Sequence, residues 1–199
     1  MSIEEKKRTR GRPKTLNKDN ILNIGMNAYW EEGIENISLN EICKRAKVSK
    51  PGIYREFGSD DGLITAVLKH YHNQVIREIH KIFLQNKPFR KILDEFILIL
   101  TTKSQNLNGC LFLRSRDLNY PLRKDSKKQI ELMQNEYINS FTKWIEKSKN
   151  QNEFSKNIST ELAVNYIDAQ VSIAMTRVYN GMDVLMVKDM LTLAFSNFK

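Results

Sequence analysis

The chain is poor in the residues that break helices or staple small folds. Eight glycines and four prolines in 199 residues leave little turn punctuation, and strand-like alternation is hard to find. Two cysteines, Cys43 and Cys110, are too few for a disulfide framework or a metal finger, and suit reduced thiols in a cytoplasm. The longest stretch without a charge, Asn20 to Trp30, is about half the roughly 20 residues a membrane helix needs. No apolar core follows the basic amino terminus, which argues against a secretory signal and for a cytoplasmic protein that makes no membrane contact. Phosphate-cradling glycine loops, GxSxG and HExxH are all missing, and the three histidines (His70, His72, His80) form no cluster with other ligands. They read as surface or packing residues. Enzymatic, metal and cofactor chemistry therefore have no residues to carry them.

What is present is positive charge. There are 32 Lys and Arg against 23 Asp and Glu, a net charge of +9, which favours a polyanionic partner. Seven of the cations fall between Lys6 and Lys18 with no acidic residue among them. Within this arm Arg10-Gly11-Arg12-Pro13 is similar to an AT-hook core. Gly11 would let the backbone lie deep in a narrow minor groove, and Arg10 and Arg12 would follow its negative potential. A solvated tail is the alternative.

Helical spacing dominates the remainder and predicts an all-α chain of nine helices. The boundaries are a basic arm at 1–18, three short helices at 19–58 and six longer ones at 59–199. Ser38 with Glu41 reads as a capping box, Ser49 with Pro51 opens the third helix, and Gly58 closes it. Helix 4 is expected as one amphipathic rod from Ser59 to about Phe83, helix 8 from Ser159 to about Asn180, and helix 9 as ending near Phe198.

The segment Ser38–Phe57, SLNEICKRAKVSKPGIYREF, has the physics of a helix-turn-helix. Small Cys43 sits at the crossing, Val48 plugs the turn and Ile53 packs back on the first helix. That leaves Lys50, Gly52, Tyr54 and Arg55 on a free face near a helix amino terminus, the part of such a unit that enters a major groove. With the caps Ser38 and Ser49 and the arm residues Arg10 and Arg12, these are the candidate DNA-binding residues. A hairpin whose surface merely happens to be basic is the competing reading.

Residues 37–63 resemble the DNA-binding domain of the TetR family of bacterial transcriptional regulators: a Ser-capped helix, an Ala-x-Val-Ser turn, Tyr-x-x-Phe, then the opening of a fourth helix. The resemblance implies a three-helix head on a six-helix body. It implies a homodimer on palindromic double-stranded DNA, most often a repressor, released by a small-molecule inducer or an electrophile. An architectural binder of A·T-rich DNA that senses nothing is the alternative. Lys47 departs from the family's preferred Gly, costing roughly 1–2 kcal/mol if that position is left-handed. Asp60 stands where a backbone-contacting Lys is common.

The family's dimer face lies on helices 8 and 9, where Tyr166, Gln170, Ile173, Met190, Leu193 and Phe195 are the candidates. Periodicity does not separate such an interface from intramolecular core. The inducer pocket is expected among Phe96, Leu100, Cys110, Phe112, Met133, Tyr137, Phe141, Trp144, Ile173 and Arg177. Asn108-Gly109-Cys110-Leu111-Phe112 is similar to a segment of one branch, in which the Cys can sense electrophiles. An exposed Cys110 beside Arg114 would have that reactivity; a buried one would be a small hydrophobe.

Overall fold

The computed structural model describes residues 16–102, 108–117, 122–196 and 198, and among them all regular structure is helical. The arm candidates Arg10 and Arg12 lie outside the described residues. Helix α1 (Lys18–Glu32) is capped by Asn17, whose side chain accepts from Asn20 N at 3.0 Å, and stops at Gly33 with φ +97°. α2 (Leu39–Ala46) and α3 (Lys50–Phe57) follow behind the caps Ser38 and Ser49. The fourth helix, α4, is composite: α-helical over Asp60–Tyr71, π-helical over His72–Ile76, a turn of α-helix over Arg77–His80 and 3-10 over Lys81–Leu84. Then come α5 (Phe89–Leu100), α6 (Leu111–Arg116), α7 (Lys124–Asn150), α8 (Thr160–Tyr179) and α9 (Val184–Ala194).

Two expectations are corrected. Helix 4 is not a uniform rod. The wider π turn admits an extra residue and shifts the buried stripe by one position, so His72 and Ile76 turn inward while Gln74 is exposed. Helix 9 ends at Ala194, and Phe195 and Phe198 fold back in a turn to pack on Tyr166 and Phe154.

The head is joined to the body by close packing. A Cβ at Gly25 would meet Val67 Cγ2 at 2.8 Å, so glycine lets α1 cross the start of α4 tightly. Asp61, on the first turn of α4, is 6% exposed. Its carboxylate accepts from Asp125 N at 2.9 Å and from Ser126 Oγ at 2.5 Å, so a residue of α4 caps the start of α7. α7 lacks a side-chain cap of its own, because Arg123 occupies that position.

The core of the body is aromatic. Trp144 stacks on Phe83 and Phe89 at centroid distances of 4.8 and 4.6 Å, and Phe141 meets Tyr137, Phe83 and Phe96 edge-on or tilted. As its composition predicts, α5 is central, with Phe89, Ile92, Leu93, Phe96, Ile97 and Leu100 buried.

His80 reaches this cluster from α4, lying 5.4 Å from Tyr137 and 5.6 Å from Phe141. Burial pushes its pKa down to about 4, with a further push from neighbouring His72. Burial lowers His72 as well, against the opposing pull of Glu136 3.5 Å away. A histidine kept neutral in the fold binds its proton more readily when unfolded. The stability it contributes is therefore full above about pH 6.5 and lost as pH falls toward 4, a total of about 3 kcal/mol for His80. Urea melts at pH 7 and pH 4.5 should show this loss in the parent protein and a clearly smaller one in His80→Gln. Equal pH dependence in the two would contradict the assignment.

Candidate functional site

The tight unit Ser38–Phe57 forms as its sequence dictates. Ser38 Oγ accepts from Glu41 N at 3.3 Å and Ser49 Oγ from Gly52 N, also at 3.3 Å. The reciprocal half of the capping box is replaced: Glu41 accepts instead from Arg45 Nε at 2.9 Å, and the same guanidinium pairs with Glu32, tying α2 to the end of α1. Lys47 terminates α2 in the left-handed region, φ 54° and ψ 41°, with its N–H donating to Lys44 O and Val48 N–H to Cys43 O. Lys47→Gly should therefore stabilise the head by about 1 kcal/mol, as the removal of left-handed strain outweighs the extra freedom of an unfolded glycine. A denaturation midpoint that falls on this substitution would show that the lysine is not strained.

Ile53 is fully buried, and Cys43 is buried with its pKa raised chiefly by that burial. Their packing orients the opposite face of α3. Lys50, Tyr54 and Arg55 project to solvent there, Tyr54 37% exposed and Lys50 Nζ 5.5 Å above the Tyr54 ring. Gly52 is different: it is buried, and a Cβ would come within 3.3 Å of Leu16 and of Ser49 Oγ, so it permits close packing and lines the groove beside α3 with backbone alone. Ser38 and Ser49 are exposed caps whose hydroxyls hold helix amino termini.

A groove of about 490 Å³ opens beside α3, lined by Asn17, Asn20, Lys47, Ser49 and Arg55. The amino termini of α1 and α3 flank it, each carrying the positive end of a helix dipole. Cations and helix ends converging on one concavity suit a phosphate oxygen. Asn17 and Asn20 are members that the sequence pattern alone missed; the Asn17 cap was the available signal. Asp60 lies half-buried in the first turn of α4, where a carboxylate complements the dipole.

The body separates residues that periodicity could not. Along α8, Ala163, Ile167, Val171, Ala174 and Val178 face inward. Leu162, Tyr166 and Ile173 face outward, 61%, 36% and 47% exposed, and α9 adds Leu185, Met186 and Leu193. Single exposed apolar residues are ordinary, but a stripe along two adjacent helices is an uncovered face. Among the interface candidates, Tyr166, Ile173 and Leu193 lie on this face, with Gln170 and Met190 half-buried at its margin. Phe195 does not: it is fully buried against Tyr166 and Phe198.

The expected pocket is only partly assembled. Phe96, Leu100, Cys110 and Tyr137 line one small cavity of about 30 Å³ together with Tyr71, His80 and Met175. Phe112, Met133 and Phe141 are fully buried packing residues outside its lining, and Trp144 lines a separate groove on the outer side of α7. Ile173 and Arg177 are exposed on α8 and do not line this cavity. The helical period carries both around to the outer side.

Cys110 is 8% exposed, and burial pushes its thiol upward. It accepts from the Tyr71 hydroxyl at 3.4 Å. Arg114, expected beside it, donates to Trp30 O at 2.9 Å and stacks 3.6 Å above the Tyr179 ring. The conditions for a reactive thiolate are not met. The neighbouring loop is tied to the head instead, since Trp30 Nε1 donates to Gly109 O at 2.9 Å.

A compact helix-turn-helix carried on an all-helical body is the class of protein these features define. Residues 21–67 match the family model for "Bacterial regulatory proteins, tetR family". The match covers the head alone, and there the chain is similar to the DNA-binding domain of that family. It is 26% identical over 113 residues to the HTH-type transcriptional repressor ComR of Escherichia coli K12, covering 55% of this chain and 54% of ComR. Over 110 residues it is 23% identical to the repressor BdcR of the same organism, covering 55% of this chain and 56% of BdcR. The match thus spans about half the length of these curated relatives. The fold is similar to that of the TetR-family regulator CifR in a cysteine mutant complexed with 26-bp operator DNA: TM-score 0.84 at 17% identity, over 95% of this chain and 100% of the other. Among the described residues no helix is long and apolar enough to cross a membrane.

Proposed function

We propose that this protein is a homodimeric transcriptional repressor that binds palindromic double-stranded DNA and releases it when a small molecule occupies the body. The observation that carries the DNA-binding reading is the division of labour on α3. Buried Ile53 fixes the helix, and Lys50, Tyr54 and Arg55 stand free beside a groove where two helix amino termini converge. Arg and Lys are suited to guanine edges or phosphate, and the Tyr54 hydroxyl to a phosphate oxygen. ComR and BdcR are repressors by name, and CifR has been solved on operator DNA; both facts favour repression of a defined site.

Two heads must be held a helical turn apart to address a palindrome, and the uncovered stripe on α8 and α9 is the surface available for that dimer. A ligand acts by preferring one spacing of the heads. Its levers are α4, rooted in the head and capping α7 through Asp61, and the Gly109–Trp30 link. Release by direct electrophile attack is disfavoured by the buried, neutral Cys110.

Selection of duplexes from a randomised pool tests the reading. A short inverted repeat is expected. Enrichment of any A·T-rich duplex without symmetry would replace the regulator with an architectural binder. Deleting residues 1–14 should weaken binding to the selected repeat and flatten its salt dependence, through loss of Arg10, Arg12 and the other arm cations. An unchanged slope in a salt titration would remove the arm from the interface.

A further inference from the structure

The outer side of the body, between the irregular part of α4 and the middle of α7, carries a groove of about 320 Å³. That volume is at the lower end of the roughly 300–1,000 Å³ typical of small-molecule sites. The buried rings of Phe83 and Trp144, stacked on each other at 4.8 Å, lie beneath it, and exposed Leu84 is at its edge. Arg77, Lys81, Lys143 and Lys147 stand around it, against one lining carboxylate, Glu136.

The available cations are not equivalent. Arg77 is held by Glu136 and Lys81 by Glu78, while Lys147 donates to Gln85 O. Lys143 has no ion-pair or hydrogen-bond partner among the described residues. In the wall, the indole Nε1 of Trp144 is buried without an acceptor, the side chain being 1% exposed.

His80 is the second clue. It lines both this groove and the small inner cavity that holds Cys110 and Tyr71, so its ring is the partition between them. Tyr137 lines the inner cavity as well, with Asp168 acting on its buried hydroxyl. The π turn at His72–Ile76 lies just before this partition and interrupts the regular hydrogen-bond ladder of α4 there. Such turns in α-helices occur often at functional sites.

We infer that this groove is the ligand site of the body, and that it takes a small anionic amphiphile, a carboxylate carrying an aromatic or aliphatic group. The carboxylate sits at Lys143, with Lys147 and Lys81 adding to the field. The apolar part lies against exposed Leu84, above the buried Phe83 and Trp144 rings, and presses on His80 toward the inner cavity. A cationic ligand has the wrong sign for this rim. The inference rests on the regulator reading for its consequence, the release of DNA, but not for the binding itself.

The test titrates the full-length protein calorimetrically with sodium 1-naphthoate and sodium decanoate. Neutral 1-naphthamide and decyltrimethylammonium serve as matched controls. The anions should bind and raise the melting temperature, the amide should bind at least tenfold more weakly, and the cation should not bind. Lys143→Glu, an exposed and unpaired position that leaves the core untouched, should weaken naphthoate at least tenfold. His80→Trp, which thickens the partition, should also change naphthoate affinity.

Equal binding of anion and cation, naphthoate binding unaffected by Lys143→Glu, or no heat with either anion at millimolar concentration would overturn the proposal. Gel shifts with the selected repeat separate the two readings. Repeat binding by a protein that ignores both anions leaves the regulator standing and removes this site. Anion binding by a protein with no preference among duplexes keeps the site and removes the regulator.

Discussion

Leu162→Glu combined with Leu193→Glu is expected to yield a monomer that folds normally and loses about 10²–10⁴-fold in affinity for a palindromic site. Both side chains are well exposed on the outer stripe of α8 and α9, so the carboxylates meet water in the isolated chain and cost little there. In a dimer they would be buried against the same stripe of a second copy, without partners and facing like charges related by two-fold symmetry. Loss of the tether turns a two-head interaction into two independent weak ones, which is the origin of the fold-change. Analytical ultracentrifugation and gel shifts read the two consequences separately. A dimer that persists in the double variant would place the interface elsewhere. Phe195→Glu is a contrasting control: Phe195 is fully buried, so this substitution should unfold the chain rather than dissociate it.

Substitution of both Lys50 and Arg55 by alanine should lower affinity for the selected repeat by about 10²-fold or more while leaving the thermal midpoint nearly unchanged. Each side chain is exposed, so the fold loses little. A contact to a guanine edge is worth about 1–3 kcal/mol, and a lost phosphate contact lowers the salt slope by about one. The single variants distinguish these roles. If Arg55 reads a base, Arg55→Ala relaxes sequence preference at one position of each half-site; if it holds phosphate, it weakens all duplexes alike. Tyr54→Phe removes only the hydroxyl and should reduce affinity several-fold without altering the preferred sequence. Unchanged affinity in the Lys50 and Arg55 double variant would mean that α3 does not face the duplex.

The caps and stops of the head could be read residue by residue. Ser38, Ser49, Gly33 and Gly58 act within three or four residues of themselves, and such local rules need no knowledge of distant chain. The conditional expectation for Lys47 came from the family's preference for Gly at that position, and the observed φ of 54° meets its condition. The π turn was not legible, because the apolar pattern of α4 fits an unbroken helix with a one-residue shift of phase. Neither was the role of Asp61, whose partners Asp125 and Ser126 lie more than sixty positions away.

By itself, then, the order of residues determined the helical class, the helix-turn-helix and its free cationic face, because period, capping and charge are properties of short segments. Tertiary structure decided which apolar residues of α8 and α9 are core and which are left uncovered, since an isolated amphipathic stripe does not say what lies against it. It also moved Ile173 and Arg177 out of the cavity wall and enclosed Cys110 beneath Tyr71. Packing of distant helices sets burial, and burial decides whether a thiol is reactive or an aromatic side chain lines a cavity.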